Sequence, residues 1–338
     1  VLGRLRDTID RFQQRYTPIS FLYGVVKKFG EDRAGQQAAL LAYYGFFSLF
    51  PLLLVGVTLL GIVLRNNPEL QGKLLDSALT QFPIIGDEIR KNVHGLAKAG
   101  AGLFIGIAGA LWGGLGGLKA LHNAMDHVWD VPVRRQANTI RQIVRALMML
   151  GVLIVFAAVS TGLSSLGAVT QSLGFFGRTL TLGLGAGVNF GIFLLVFKLM
   201  TVADVTWRDV LPGAVVAGVG WSGLQTVGNL LVERQLSNAS ELYGFFGIVL
   251  GLLSWMYLGA QLTLYAAEIN VVRKTRAWPR SLSSDNLTEA DKRILARHAR
   301  AEERVEQEDV DVRFARQDDE RTQPTPSPDP QPEPRKVG

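Results

Sequence analysis

Cysteine is absent from the 338-residue sequence, and histidine is scarce, with four residues scattered along the chain. The first absence excludes disulfides and thiolate metal sites, and the second leaves little from which to build an imidazole cluster. Charge is thin as well, at 19% against 48% hydrophobic residues. That balance, with long uncharged runs between basic clusters, belongs to an integral membrane protein. No phosphate-binding Walker loop, G-x-S-x-G elbow or H-E-x-x-H motif occurs, so neither an enzymatic activity nor a cofactor is expected. The charged N-terminus, with its first long apolar run beyond residue 33 and no cleavage-site pattern, does not read as a signal peptide. The net charge of +6 is a weak argument for nucleic acid, because basic residues flank membrane spans for topological reasons.

What is present is a series of apolar runs. Six spans are expected, at about 38–64, 99–118, 147–170, 179–197, 210–232 and 242–267, giving an all-α, polytopic membrane helical bundle. With the N-terminus inside, the inner segments hold 18 Lys and Arg and the outer ones 7, which places both termini in the cytoplasm. Residues 1–37 form a cytoplasmic segment. Within it Ile19, Leu22, Val25, Val26 and Phe29, beside Lys27 and Lys28, predict an amphipathic helix on the bilayer surface, its basic groups meeting anionic lipid. Residues 65–98 predict two short amphipathic pieces at the outer face. Residues 38–274 form the transmembrane domain. Beyond it, Thr288 followed by Glu289 and Asp291 predicts an exposed helix over 289–308, before a disordered Pro-rich tail.

The sixth span is the most informative. Between Glu241 and Glu268 it runs 26 residues without a charge. Yet Ser254, Tyr257, Gln261, Tyr265 and Glu268 fall within about 80° of one another at helical spacing. The fifth span carries a matching stripe of Ser222, Gln225, Asn229 and Glu233. Two readings follow: a hydrophilic cavity for a substrate, ion or proton lined by Gln225, Asn229, Tyr257, Gln261 and Glu268, or interhelical hydrogen bonds worth about 1 kcal/mol each. Pro51 lies within the first span as a candidate hinge. Gly183, Gly187 and Gly191 stand at the four-residue interval that lets helices approach closely. His122, Asp126 and Asp130 share one helical face, as a divalent site would require. An amphipathic extension of the second span, with Leu118, Leu121, Met125, Val128 and Trp129 on lipid or protein, explains them equally well, and no metal is expected.

Four segments together, AYYGFFSLFPLLL at 42–54, LKALHNAMDHVWDV at 118–131, LPGAVVAG at 211–218 and LYGFFGIVLGLLSWMYLGAQLTLYAAEIN at 242–270, resemble the YihY/virulence factor BrkB family of bacterial inner-membrane proteins. Some members carry a historical ribonuclease BN label. The resemblance covers about residues 19–275 and implies a six-span plasma-membrane protein; it supplies no mechanism. The leading expectation is a transporter or permease with its path between the fifth and sixth spans. The alternative is a structural protein that organises lipids or partner proteins. A ribonuclease is disfavoured.

Overall fold

The computed structural model describes residues 2–63, 116–136, 174–201, 204–236, 244–283 and 286–314, with scattered helical positions between 140 and 156. Among these residues every regular element is helical. Helices α1 (Leu2–Arg15), α2 (Thr17–Glu31) and α3 (Ala34–Val63) follow one another closely. Helix α4 covers 116–128. The apolar body continues with α5 (Gly174–Met200), α6 (Trp207–Leu236) and α7 (Gly244–Thr275), and α8 (Glu289–Ala301) follows.

Among the described residues, three helical stretches are long and apolar enough to cross a membrane: Gly183–Met200, Trp207–Gly228 and Val249–Thr275. They coincide with the expected fourth, fifth and sixth spans, and α3 contains the first. The expected second and third spans, the pieces within 65–98 and the Pro-rich tail lie mostly or wholly outside the described residues. Helix α7, at 32 residues, is about 48 Å long at ~1.5 Å per residue. That exceeds a hydrocarbon core of about 30 Å, so its ends reach beyond the apolar slab.

Helix α6 packs between α5 and α7, and α7 also meets α3 and α2. The shared core includes Phe197 and Met200 of α5, Val210, Ala214 and Ala217 of α6, and Leu264, Ala267 and Val271 of α7. The α6–α7 contact depends on missing side chains. A Cβ on Gly213 would stand 2.1 Å from the Ala266 carbonyl oxygen, one on Gly220 2.6 Å from Leu262, and one on Gly259 2.8 Å from the Trp221 ring. Gly183 and Gly187 are different: among the described residues a Cβ there meets nothing within 4 Å, and only Gly191 faces a neighbour, Phe156. Among the described residues, the four-residue spacing in α5 therefore meets a neighbour at one of its three positions.

Helix α2 divides its apolar residues between two faces. Ile19, Leu22 and Val26 are exposed, while Val25 and Phe29 are buried, the Phe29 ring stacking on Tyr265 of α7 at 3.7 Å. The lysines turn inward with the buried face. Lys27 Nζ donates to Asp291 Oδ1 and to the Ser281 carbonyl, each at 2.7 Å, and Lys28 has no exposed surface.

Helix α8 begins where Thr288 predicts, through a capping box in which the Thr288 hydroxyl accepts from the Asp291 N–H and the Asp291 carboxylate accepts from the Thr288 N–H. It ends at Ala301 and is not a free solvated helix: Asp291 and Ile294 are buried. The reason is Arg280. Its wholly buried guanidinium donates from Nε to Asp291 Oδ1 at 2.6 Å and from a terminal nitrogen to both oxygens of Glu31 at 2.7 and 2.8 Å. Burial alone would raise Asp291, but the Arg280 and Lys27 cations hold it well below the usual carboxylate range. The two ends of the described chain are thus clasped together against α7.

Candidate functional site

Three helix ends converge where α2, α4 and α7 finish, and each is terminated by a residue in the left-handed region: Arg33, Asp130 and Arg276, with φ of 51°, 50° and 51°. At two of them the backbone closes as a Schellman pair. Val131 N–H donates to the Asp126 carbonyl and Asp130 N–H to that of His127; Ala277 N–H donates to Val272 and Arg276 N–H to Arg273. These stops fix where each helix delivers its last turn of side chains.

They deliver a buried charge cluster. Lys28 Nζ lies 2.6 Å from Asp32 Oδ2, 3.5 Å from Asp130 Oδ1 and 3.9 Å from Glu268 Oε2. The Lys28 and Glu268 side chains are 0% exposed, those of Asp32 and Asp130 2%. From α8, His298 Nε2 stands 3.0 Å from both Asp32 Oδ1 and Asp130 Oδ1, between the two and aligned as a hydrogen bond to neither. Arg297 completes the group, donating from Nε to Asp130 Oδ2 at 3.2 Å and from a terminal nitrogen to the Trp129 carbonyl at 3.1 Å.

The electrostatics follow from burial set against opposite charge. Burial disfavours the Lys28 ammonium, yet Glu268, Asp32 and Asp130 outweigh it and keep the group charged far into the alkaline range. Burial also disfavours a charged His298, and the two aspartates raise it to about 9. Asp130 is lowered, its burial outweighed by His298 and Lys28. Asp32 and Asp130 interleave with Lys28, Arg297 and a protonated His298, and such pairing of opposite charges is the condition under which buried ions are tolerated. Asp32, Asp130 and His298 offer donor atoms within 4.8 Å of one another, a set that suits a divalent cation by type. The Lys28 ammonium already occupies the cation's position beside both aspartates, so the residues present fit an ion-pair network better than a metal. Glu268 is the anomaly: among the described residues no donor is aligned on either carboxylate oxygen.

The residues singled out by sequence are only partly brought together. Glu268 enters this cluster. Gln261 donates to the Tyr257 hydroxyl at 3.0 Å, one turn away on the same helix, and both are half-buried, as is Gln225 on α6. The side chains of Asn229 and Pro51 lie outside the described residues, although α3 runs unbroken through position 51. The α6–α7 hydrogen bond that sequence reasoning missed is at Asn270, whose Oδ1 accepts from the Gly213 N–H at 2.7 Å. Lys28, Asp32, Arg297 and His298 were also missed. A lysine flanked by the inward-facing Val25 and Phe29 was the available signal. The trio His122, Asp126 and Asp130 is divided: Asp130 joins Lys28, whereas the side chains of His122 and Asp126 are buried elsewhere with no aligned hydrogen bond among the described residues.

Comparison with known proteins agrees with this architecture. The family described as Virulence factor BrkB matches residues 25–289. The chain is 26% identical over 269 residues to the ribonuclease-like protein YfkH of Bacillus subtilis, covering 76% of this chain and 96% of YfkH. It is 22% identical over 275 residues to inner membrane protein YhjD of Escherichia coli, covering 75% and 81%. It is 26% identical over 258 residues to UPF0761 membrane protein Mpe_A1422 of Methylibium petroleiphilum, covering 72% and 59%. No solved structure matches the chain.

Proposed function

The chain belongs to the virulence factor BrkB family of membrane proteins, and on that premise we propose that it is a permease-like protein in which Glu268 exchanges a proton or cation. The observation that carries this reading is a fully buried carboxyl group with no donor aligned on it among the described residues, 3.9 Å from the buried Lys28 ammonium. Intramembrane or membrane-edge carboxylates of this kind are costly and serve as relay or coupling groups. The solute path runs between α6 and α7 past Gln225, Asn229, Tyr257 and Gln261, with Pro51 as a hinge in α3. The Lys28 cluster closes its inner, cytoplasmic end, an orientation supported by the excess of Lys and Arg in the inner segments. Residues 1–37 and 275–338 lie on that side, and the bundle has six spans. Hydrolysis of RNA has no part in this reading, and purified protein is expected to leave RNA intact.

The test is reconstitution of the full chain into vesicles enclosing a pH-sensitive dye, challenged in turn with amino acids, organic acids, organic cations and metal salts. The expected result is solute-dependent proton movement that Glu268→Gln abolishes while still inserting and folding. Undiminished movement in Glu268→Gln removes Glu268 from the mechanism.

A second reading has its own observation. The approach at Gly213, Gly220 and Gly259 is what a bundle built for rigidity requires, so the α6–α7 stripe can act as packing in a protein that organises lipids or partners. Vesicles that show no solute-dependent flux for any class would favour it.

A further inference from the structure

A second set of polar side chains is enclosed without partners away from Lys28. His122 and Asp126, one turn apart on α4, are 0% and 1% exposed. Among the described residues, both ring nitrogens of His122, both carboxylate oxygens of Asp126, Oγ1 of Thr201 and a terminal nitrogen of Arg145 are buried with no aligned hydrogen-bond partner. The His122 ring faces the backbone of Met200, which ends α5 and sets Thr201 beside it. Arg145, from the helical positions between 140 and 156, is close enough to act on both His122 and Asp126. An orphaned buried polar group is destabilising, because its hydration is lost and not replaced. Six such atoms gathered in one place describe a space built to be filled by something polar.

Charge decides what fills it. Arg145 contributes one positive charge. Burial, with Arg145 adding to it, lowers His122 to about 4, so the imidazole is neutral. Burial raises Asp126 to about 7, with Arg145 opposing. A cation would join the guanidinium in a buried space where a single carboxylate offsets both. A monovalent anion, with Asp126 protonated, leaves the total at zero. The donors suit an anion too: a guanidinium N–H, a threonine hydroxyl, an imidazole N–H and a protonated carboxyl. The groups that act electrostatically on Asp126 reduce to Arg145; His122 shares its helix, and Met200 and Thr201 of the neighbouring element are uncharged.

We propose that His122, Thr201 and Arg145 bind a small monovalent anion, with Asp126 as the carboxyl that carries a proton while the anion is held. The site shares no residue with the Lys28 cluster and does not depend on the transport reading.

The experiment follows thermal unfolding of the purified full chain in detergent, with sodium nitrate as probe and sodium gluconate at matched ionic strength as control. Nitrate is expected to raise the melting temperature saturably, with an apparent affinity about tenfold tighter at pH 6 than at pH 8, the linkage of one proton titrating near 7. Asp126→Asn, which imitates the protonated acid, should keep nitrate binding and lose its pH dependence; Arg145→Gln should lose binding. No saturable nitrate effect in the wild-type protein overturns the proposal. So does a pH dependence that survives in Asp126→Asn, or stabilisation by manganese chloride that Asp126→Asn removes. The wild-type and Asp126→Asn measurements decide the matter even where Arg145→Gln does not fold.

Discussion

Lys28 Nζ and Glu268 Oε2 stand 3.9 Å apart, beyond hydrogen-bond range, with neither side chain exposed. The ammonium spends its short contact on Asp32, at 2.6 Å, and leaves Glu268 with charge nearby but no bond. The two residues are therefore unequal partners, and their replacements should behave unequally.

Lys28→Met removes the cation that offsets three carboxylates and is expected to cost about 3–5 kcal/mol, as when one member of a buried ion network is deleted. Glu268→Gln removes an unbonded charge and should leave stability unchanged or slightly higher. Denaturant or thermal unfolding of the purified variants measures both. Equal losses would show that Lys28 and Glu268 act as a simple pair.

The docking of α8 should respond to alkaline pH. His298 rises from an ordinary 6.5 to about 9 in the folded protein, so the folded state binds its proton more tightly. The resulting stabilisation is full below about 6.5 and disappears as pH climbs through about 9. Hydrogen exchange or limited proteolysis of α8 between pH 7 and 10 should show progressive loosening, and His298→Gln should flatten that profile. A wild-type α8 equally protected at both ends of the range would contradict the bridging role.

Alanine at two glycines separates real helix contact from mere spacing. Gly213→Ala drives a methyl group to within 2.1 Å of the Ala266 carbonyl and onto Asn270, displacing the acceptor of the Gly213 N–H. A loss of several kcal/mol, or failure to accumulate in the membrane, is expected, because overpacking against backbone cannot relax. Gly187→Ala meets nothing within 4 Å among the described residues and should be better tolerated. A severe effect at Gly187 would point to a contact beyond the described residues.

Arg280→Lys keeps the charge but discards the planar fork that grips Glu31 and Asp291 together. Amide protection in α8 should fall by roughly ten- to a hundredfold, corresponding to a loss of about 1.4–2.8 kcal/mol. Protection that does not change would mean the capping box and Ile294 suffice to hold the helix.

The α7 polar stripe was legible because a helix projects residues three and four apart to one side, and Glu268 does turn inward. Its partners were not, because Lys28, Asp130 and His298 come from segments that only tertiary packing unites. The α8 start was readable from Thr288 and Asp291, as local capping chemistry is. Its burial was not: Asp291 serves the cap and Arg280 at once, and the second role appears only when residues 31, 280 and 291 are in contact. Of the expected helical face His122, Asp126 and Asp130, the first two lie on α4. The helix stops at Asp130, whose left-handed backbone swings it into a different neighbourhood from the other two. Periodicity describes a helix while it lasts and says nothing of where it ends.

The clasp between the chain's two ends carries a consequence for the order in which the protein is made. Lys27 is separated from Asp291 by 264 positions. At a synthesis rate of about 5–20 residues per second, the lysine leaves the ribosome roughly 13–50 s before its carboxylate exists. Glu268, Arg280 and His298 arrive almost as late. Until those residues emerge, α2 lacks the ion partners that bury its lysines, and its docking onto the bundle is completed only as synthesis finishes.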